Sequence, residues 1–281
     1  MEQQKRVLAV HDISCVGRCS LTVALPIISA AGAECSILPT SVLSTHTGGF
    51  TGFTFRDLTA EIAPITRHWE ALNLKVDFIY TGYLGSFEQL ELMKGLFDGF
   101  RGKDTLVCVD PVMGDNGSLY ELFDEAFARG MAKLCAKADL IMPNLTEAAF
   151  MTGLPYEEKN YSEDYILSIL NALHGLGAEK VVLSGISFDE TKLGAAASDK
   201  AKGEIHYLMN ERIPGYFHGT GDVFGSALVG ALSNDKTLRE ATAIAVDYTV
   251  ACIRRTAKAG TEVRYGVCFE KELPYYIDLL K

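Results

Sequence analysis

The sequence predicts an α/β protein, a three-layer α/β/α sandwich around a mostly parallel central sheet. Three observations carry this prediction. Short apolar runs at 7–10, 105–109 and 140–142 alternate with longer segments of helical character. The opening order is strand, helix, strand, which is the unit of a parallel sheet. No low-complexity linker and no internal repeat divides the 281 residues, so 1–281 reads as one domain.

Strand 7–10 ends at His11-Asp12, and a polar turn over 13–20 leads into a helix at 21–31 closed by Gly32. A second strand covers 35–39. The segment 45–55 mixes glycine and threonine with Phe50, Phe53 and Phe55. It reads either as a short hairpin with one packed face or as a flap that excludes water over an apolar ligand. A helix at 56–74 and a strand at 77–82 follow, and Ser86 caps a helix reaching about residue 100. Strand 105–109 precedes a helix at 119–136, strand 140–142, a helix at 161–175 and strand 181–183. Residues 193–197 and 204–213 alternate as an antiparallel pair. Helices at 223–232, at 238–255 behind Thr237, and at 270–280 complete the chain.

With 48% hydrophobic and 22% charged residues, general disorder is excluded. A formal net charge of −10 without a basic cluster argues against nucleic acid. An anionic nucleotide would therefore have to be held by local dipoles, a few cations and a metal. Met1 to Arg6 is too polar for a secretory signal, and no run approaches a membrane span. Seven scattered cysteines suit small core residues in a reducing cytosol better than a disulfide framework, so a cytoplasmic location is expected. Cys15 and Cys19 lack the spacing and partner ligands of a zinc site.

The most informative stretch is His218-Gly219-Thr220-Gly221-Asp222, followed by the small, apolar residues of a buried helix. Glycines permit a sharp turn and leave amides uncovered, and a helix N-terminus attracts anions. Asp222 is then either a plain helix cap or a base for a substrate hydroxyl lying between it and the anion. Ligands of open parallel sheets bind beyond the carboxyl ends of the strands. Five strands here end in His11-Asp12, Tyr83, Asp110 with Asp115, Asn144 with Glu147, and Ser184. Each has a dull alternative as a cap or a half-buried aromatic. Several carboxylates at one rim are costly without a cation, and nucleotide-borne Mg2+ would relieve that cost. Phosphoryl transfer from ATP to a hydroxyl fits this set. Asp222 would be the base, and the amides of Gly219, Thr220, Gly221 and Asp222 would hold the developing charge.

These residues resemble the ribokinase-like kinases, and within them the pyridoxal (vitamin B6) kinases. The resemblance rests on Val-Gly-Arg-Cys-Ser (16–20), Ser-Thr-His-Thr-Gly (44–48), Thr-Gly-Tyr-Leu-Gly-Ser (81–86), Asp-Pro-Val-Met-Gly-Asp (110–115), Pro-Asn-Leu-Thr-Glu (143–147) and Gly-Thr-Gly-Asp (219–222). It implies that Asp222 is the catalytic base, with Gly219 and Gly221 in the anion hole. It implies that Asp110 and Glu147 organise Mg-ATP largely through water, that Asn144 contacts the phosphates and that Ser184 lies near the nucleotide. It implies that Thr47 and Tyr83 line the vitamin pocket with His46 close by. A monovalent cation such as K+ and a homodimer belong to the same resemblance.

One departure is Asp12-Ile13 where such kinases have Ser-His, and an aspartate there could pair with the amine of pyridoxamine or simply accept a hydrogen bond from the ring. The alternatives are a hydroxymethylpyrimidine kinase of thiamin synthesis and, in another class, a catalytically silent nucleotide- or vitamin-binding sensor.

Overall fold

The computed structural model describes residues 4–159 and 161–281; residues 1–3, the start of the polar N-terminal segment, and Asn160 lie outside them. Strand β1 (Arg6–Ser14), helix α1 (Leu21–Ala30) and strand β2 (Glu34–Leu43) form the predicted opening unit, with β1 and β2 parallel. Both strands outrun the apolar cores that predicted them. Main-chain pairing continues across a bulge between His11 and Ile13, through the buried polar residues His11, Asp12 and Ser14.

Strand β3 (Phe55–Asp57) turns back antiparallel to β2, so the helix read from residue 56 starts only at α2 (Thr59–Ala71). The Asp57 carboxylate accepts the Thr59 amide at 2.8 Å and fixes that start. Strand β4 (Phe78–Thr81) leads to α3 (Phe87–Phe100), which Ser86 caps by accepting from the Gln89 amide at 3.2 Å. After β5 (Leu106–Val109) comes a small hairpin of β6 (Gly114–Asp115) and β7 (Ser118–Leu119), which takes Leu119 from the helix read at 119–136. Helix α4 (Glu125–Cys135) begins after Asp124, whose carboxylate accepts the Phe127 amide at 2.8 Å.

Strand β8 (Leu140–Ile141) is followed at once by α5 (Leu145–Thr152), a helix not anticipated, because its eight residues carry little periodicity. Then come α6 (Glu163–Gly175), β9 (Lys180–Asp189), β10 (Lys192–Asp199), β11 (Glu204–Glu211), α7 (Thr220–Leu232), α8 (Leu238–Ala259) and α9 (Leu273–Leu280). Thr237 and Glu240 close a capping box on α8, as the threonine at that position suggested.

The main sheet has nine strands in the order β11-β10-β9-β8-β5-β4-β1-β2-β3. Its middle, β9 to β2, is parallel, while β10, β11 and β3 are antiparallel. Successive side chains point to opposite faces, and two cores result. Leu8, Val10, Ile79, Val107 and Leu183 pack on one face with Phe97, Met131 and Ile169 from α3, α4 and α6. Val7, Ala9, Tyr80, Cys108 and Val182 pack on the other with Ile27, Leu228, Tyr248 and Tyr276 from α1, α7, α8 and α9. The result is the expected three-layer sandwich. Every parallel strand of the middle ends on the same side, so the residues following them form one rim.

Gly194 in β10 shows how closely the antiparallel edge packs: a side chain there would collide with the Leu208 main-chain oxygen of β11. Gly194→Ala is predicted to destabilise the fold by about 1–3 kcal/mol, read as a lower urea midpoint at unchanged slope. A shift under about 0.5 kcal/mol would contradict this packing.

Candidate active site

Helix α7 starts at the rim. Its cap is Gly219, in the left-handed region at φ 76° and ψ 5°. A side chain at Gly219 would also collide with the main-chain oxygen of Arg18, so only glycine fits there. The first intrahelical bond runs from the Val223 amide to Gly219 O at 3.1 Å. The amides of residues 220–222 therefore precede the ladder and project from the helix end. A side chain at Gly221 would meet no atom within 4 Å, so the helix is open to solvent on that side.

Because Gly219 holds the cap position, Asp222 does not cap α7, which has no side-chain cap bond. The Asp222 carboxylate instead accepts from the Cys19 thiol at 3.2 Å. Burial raises the Asp222 carboxyl to about 6; the Ser20 amide and the Cys19 thiol restrain that rise, and the charge of Asp12 adds to it.

Beside it, the buried Asp12 accepts from Ser20 Oγ at 2.5 Å on Oδ1 and from Ser14 Oγ at 3.0 Å on Oδ2. Burial raises its carboxyl, and the two hydroxyls pull the other way. Tyr83 is half-buried, with its ring 5.7 Å from that of Phe123. Its phenol is pushed up to about 12 by burial, then by the charges of Asp12 and Asp57. His11 is fully buried, kept neutral by burial down to about 3, and packs edge-on to Tyr80 at 4.5 Å.

His46 is buried over Gly17, with Nε2–H donating to Arg264 O at 2.6 Å and the Gly48 amide donating to Nδ1 at 3.1 Å. Burial lowers its pKa. Phe50 meets His46 at 5.0 Å and Tyr265 at 5.4 Å, and the Arg264 guanidinium lies 5.4 Å from both the Phe50 and Tyr265 rings. The 45–55 segment is thus the connection of the β2–β3 pair, packed at Phe50 and exposed at Thr47, Phe53 and Phe55.

On the other side of the helix tip, Asp110 is buried just after β5, beside Gly225 in the second turn of α7. A side chain on Gly225 would collide with the Tyr80 hydroxyl and come within 3.6 Å of Asp110 Oδ2. Burial, Glu147 and Asp222 all raise the Asp110 carboxyl well above the ordinary range. The buried Glu147 is raised too, by burial, against the amides that bond it. Its Oε2 accepts the Asn144 amide at 2.9 Å and its Oε1 the Met113 amide at 3.1 Å. Asn144 completes a capping box on α5 by accepting the Glu147 amide at 2.9 Å, while its Nδ2 donates to Gly114 O at 2.9 Å. Ser184 bridges Asn144 in parallel register, with its amide on Pro143 O at 2.9 Å.

Each residue singled out in the sequence therefore stands at this rim or on the segments closing it. Thr47 is at the open edge. Asn144 and one face of Glu147 are occupied in building α5.

Among the described residues, no three His, Cys, Asp or Glu side chains approach closely enough to hold a metal by themselves. The buried Asp110 and Glu147 have the chemistry for a hard divalent cation shared with phosphates. Asp110 is the freer of the two.

The cysteines correct the composition-based expectation: Cys108, Cys135 and Cys252 are core residues, but Cys15 is exposed and Cys19, Cys35 and Cys268 are half-buried. Cys19 touches Asp222 and was missed as a site residue. Its signal was a cysteine in a glycine- and serine-bearing turn just after a strand end, not in an apolar run.

The sheet order, the glycine-led helix tip and the strand-end carboxylates on one rim define the ribokinase-like fold class. A family model described as phosphomethylpyrimidine kinase matches residues 27–266, and the chain belongs to that family. A structure from Bacteroides thetaiotaomicron named as such a kinase superposes with a TM-score of 0.94 at 36% identity, covering 98% of this chain and 94% of that one. Its orthorhombic form, with pyridoxal, gives a TM-score of 0.91. The pyridoxal kinase of Lactobacillus plantarum superposes with a TM-score of 0.90 at 32% identity, over 99% and 98% of the two chains. The pyridoxal kinase of Arabidopsis thaliana is 33% identical over 185 residues, 63% of this chain but only 58% of that protein's length. No helix among the described residues is long and apolar enough to cross a membrane.

The raised Asp222 carboxyl has a consequence for stability. Folding favours its protonated form, so the stability this gives is present below the unfolded value near 4 and is lost as pH rises through about 6. Asp222→Asn escapes that loss. It is predicted to be more stable than the wild type by about 1–3 kcal/mol at pH 8, with the gap closing towards pH 4. Urea unfolding at both pH values measures this, and a variant less stable at pH 8 would contradict it.

Proposed function

We propose that residues 1–281 act as one ATP-dependent kinase domain that phosphorylates the 5′-hydroxymethyl group of pyridoxal, pyridoxamine or pyridoxine. The observation that carries the reading is Asp222, a carboxyl raised to about 6 within the first turn of α7, beside uncovered amides. A base poised near working pH loses little to protonation yet still accepts a proton readily. The resemblance to the L. plantarum enzyme and to the B. thetaiotaomicron protein crystallised with pyridoxal supports the choice of vitamer.

On this reading the vitamer ring lies against Tyr83, which Phe123 backs, with His46 and Thr47 at the opening. Ionised Asp222 takes the hydroxyl proton as that oxygen bonds to the γ-phosphorus. The bond from γ-phosphorus to the bridging oxygen breaks and ADP leaves. The proton then resides on the Asp222 carboxyl, and the amides of Gly219, Thr220, Gly221 and Asp222 hold the charge that develops on the transferring group. Asn144, after β8, and Ser184, paired with it within β9, flank the phosphates. Asp110 and Glu147 would hold, largely through water, the Mg2+ that accompanies ATP, and that ion would supply neutralisation of phosphate charge. Assistance by K+, a homodimer and a cytoplasmic location belong to the same proposal. Replacing K+ by Na+ in the assay, sedimentation analysis and cell fractionation test these in turn.

A second reading, a hydroxymethylpyrimidine kinase, is favoured by the description of the matching family model. ATP consumption across pyridine, pyrimidine and sugar alcohols separates the two. The proposal expects the B6 vitamers to lead, and a hydroxymethylpyrimidine preference would replace it. No consumption with any alcohol would point to a catalytically silent binding protein.

Asp222→Asn is predicted to lower kcat by about 10²–10⁴. In the wild type, kcat/KM should fall about tenfold per pH unit below about 6, because only the ionised carboxylate accepts the proton. Retention of more than about a tenth of kcat would remove the base assignment.

Asp12, a buried carboxylate beside the ring pocket, is predicted to favour pyridoxamine through its cationic amine. Comparing kcat/KM for the three vitamers in the wild type and Asp12→Ser tests this. An unchanged ranking would reduce Asp12 to its role of holding Ser14 and Ser20.

A further inference from the structure

We infer that Cys19 is a positioning residue for the base: its thiol holds Asp222 Oδ2, and the turn between β1 and α1 is built to keep it there. The inference rests on the kinase reading of Asp222 and adds a residue to it.

The contact is a 3.2 Å S–H to carboxylate approach. The turn around it is held from several directions. Ser20 adopts φ 54°, a left-handed conformation uncommon for a residue with a side chain, and Asp12 engages its hydroxyl at 2.5 Å. Such a conformation persists where its surroundings over-determine it, and it is commonest at functional sites. Arg18 donates its amide to Tyr265 O at 3.0 Å and pairs through Nε with Glu270 at 2.6 Å. Its own main-chain oxygen lies where side chains at Gly219 and Gly266 would have to go. Thr22 Oγ1 donates to Cys19 O at 2.7 Å. The thiol is thereby fixed against the first turn of α7, while Cys15 at the start of the same turn faces solvent.

The chemistry fits a donor. Burial, Asp222 and Asp12 all disfavour the thiolate, so Cys19 keeps its proton and can give a hydrogen bond but not take one from the base. The other titratable groups near Asp222 are Asp12 on β1, Asp110 at the end of β5 and Tyr80 on β4. None of these donates a hydrogen bond to the Asp222 carboxylate. By holding Oδ2, the thiol orients the carboxylate and favours its ionised form.

Two measurements on the intact chain test this. In Cys19→Ala, kcat is expected to fall about three- to tenfold with little change in vitamer KM. The acid limb of kcat/KM should move upward by about half a pH unit or more, and Cys19→Ser should restore both. An unchanged limb with unchanged kcat would overturn the inference.

The second measurement is independent of turnover. Asp222→Asn removes the charge beside the sulfur, so the reaction of Cys19 with methyl methanethiosulfonate should accelerate about tenfold relative to Cys15, as read by peptide mapping. An unchanged ratio would overturn the contact even if Cys19→Ala failed to fold. If the ratio rises but Asp222→Asn keeps its turnover, the contact stands and the kinase role of Asp222 falls.

Discussion

The rim depends on one close approach, that of Gly219 at the tip of α7 to the main-chain oxygen of Arg18 in the turn after β1. Two segments some two hundred residues apart in sequence meet there without room for a single side chain. The meeting turns the uncovered amides of the helix towards the strand ends. It sets Asp222 beside Cys19 and Asp12, and it puts Gly225 of α7 beside Asp110. If α7 were moved, the carboxylates would remain, but the electropositive helix end would no longer face them.

That arrangement is electrostatically expensive in a chain already carrying a net charge of −10. Asp12, Asp110, Glu147 and Asp222 are all raised, and in each case burial is the first cause. Two of them are calmed by the protein itself, Asp12 by serine hydroxyls and Glu147 by main-chain amides. Asp222 is relieved in part by the Ser20 amide and the Cys19 thiol, and Asp110, with only raising influences, carries the remainder. Such a clustering of raised carboxyls is what the proposed cation on one side and proton acceptor on the other would require.

Much of this was legible in the sequence because the signals were local. Short apolar runs bounded by Asp, Asn and Gly marked the strands, and Ser86 and Thr237 marked helix starts that the structure bears out. The rim residues were legible for the same reason: each follows the apolar run of a strand, although β1 and β9 continue past His11-Asp12 and Ser184. What was not legible depended on partners distant in sequence. Arg56 and Asp57 look helical until β2 recruits them into an edge strand. Residues 118–119 belong to a hairpin with Gly114 and Asp115, and the helix after them waits for Asp124. Cys19 is one of seven scattered cysteines until α7 brings Asp222 against it. The packing of Phe50 between His46 and Tyr265 likewise joins positions that no local pattern connects.

The central claim is that one carboxylate and the amides beside it act together on a single oxygen–phosphorus exchange. A crystal structure with a non-hydrolysable ATP analogue and pyridoxine tests it most directly. The account predicts the 5′ oxygen within about 2.6–3.2 Å of an Asp222 oxygen, the γ-phosphate over residues 219–222, and the pyridine ring against Tyr83. A vitamer whose hydroxymethyl group points away from Asp222, or a γ-phosphate remote from the α7 amides, would contradict it.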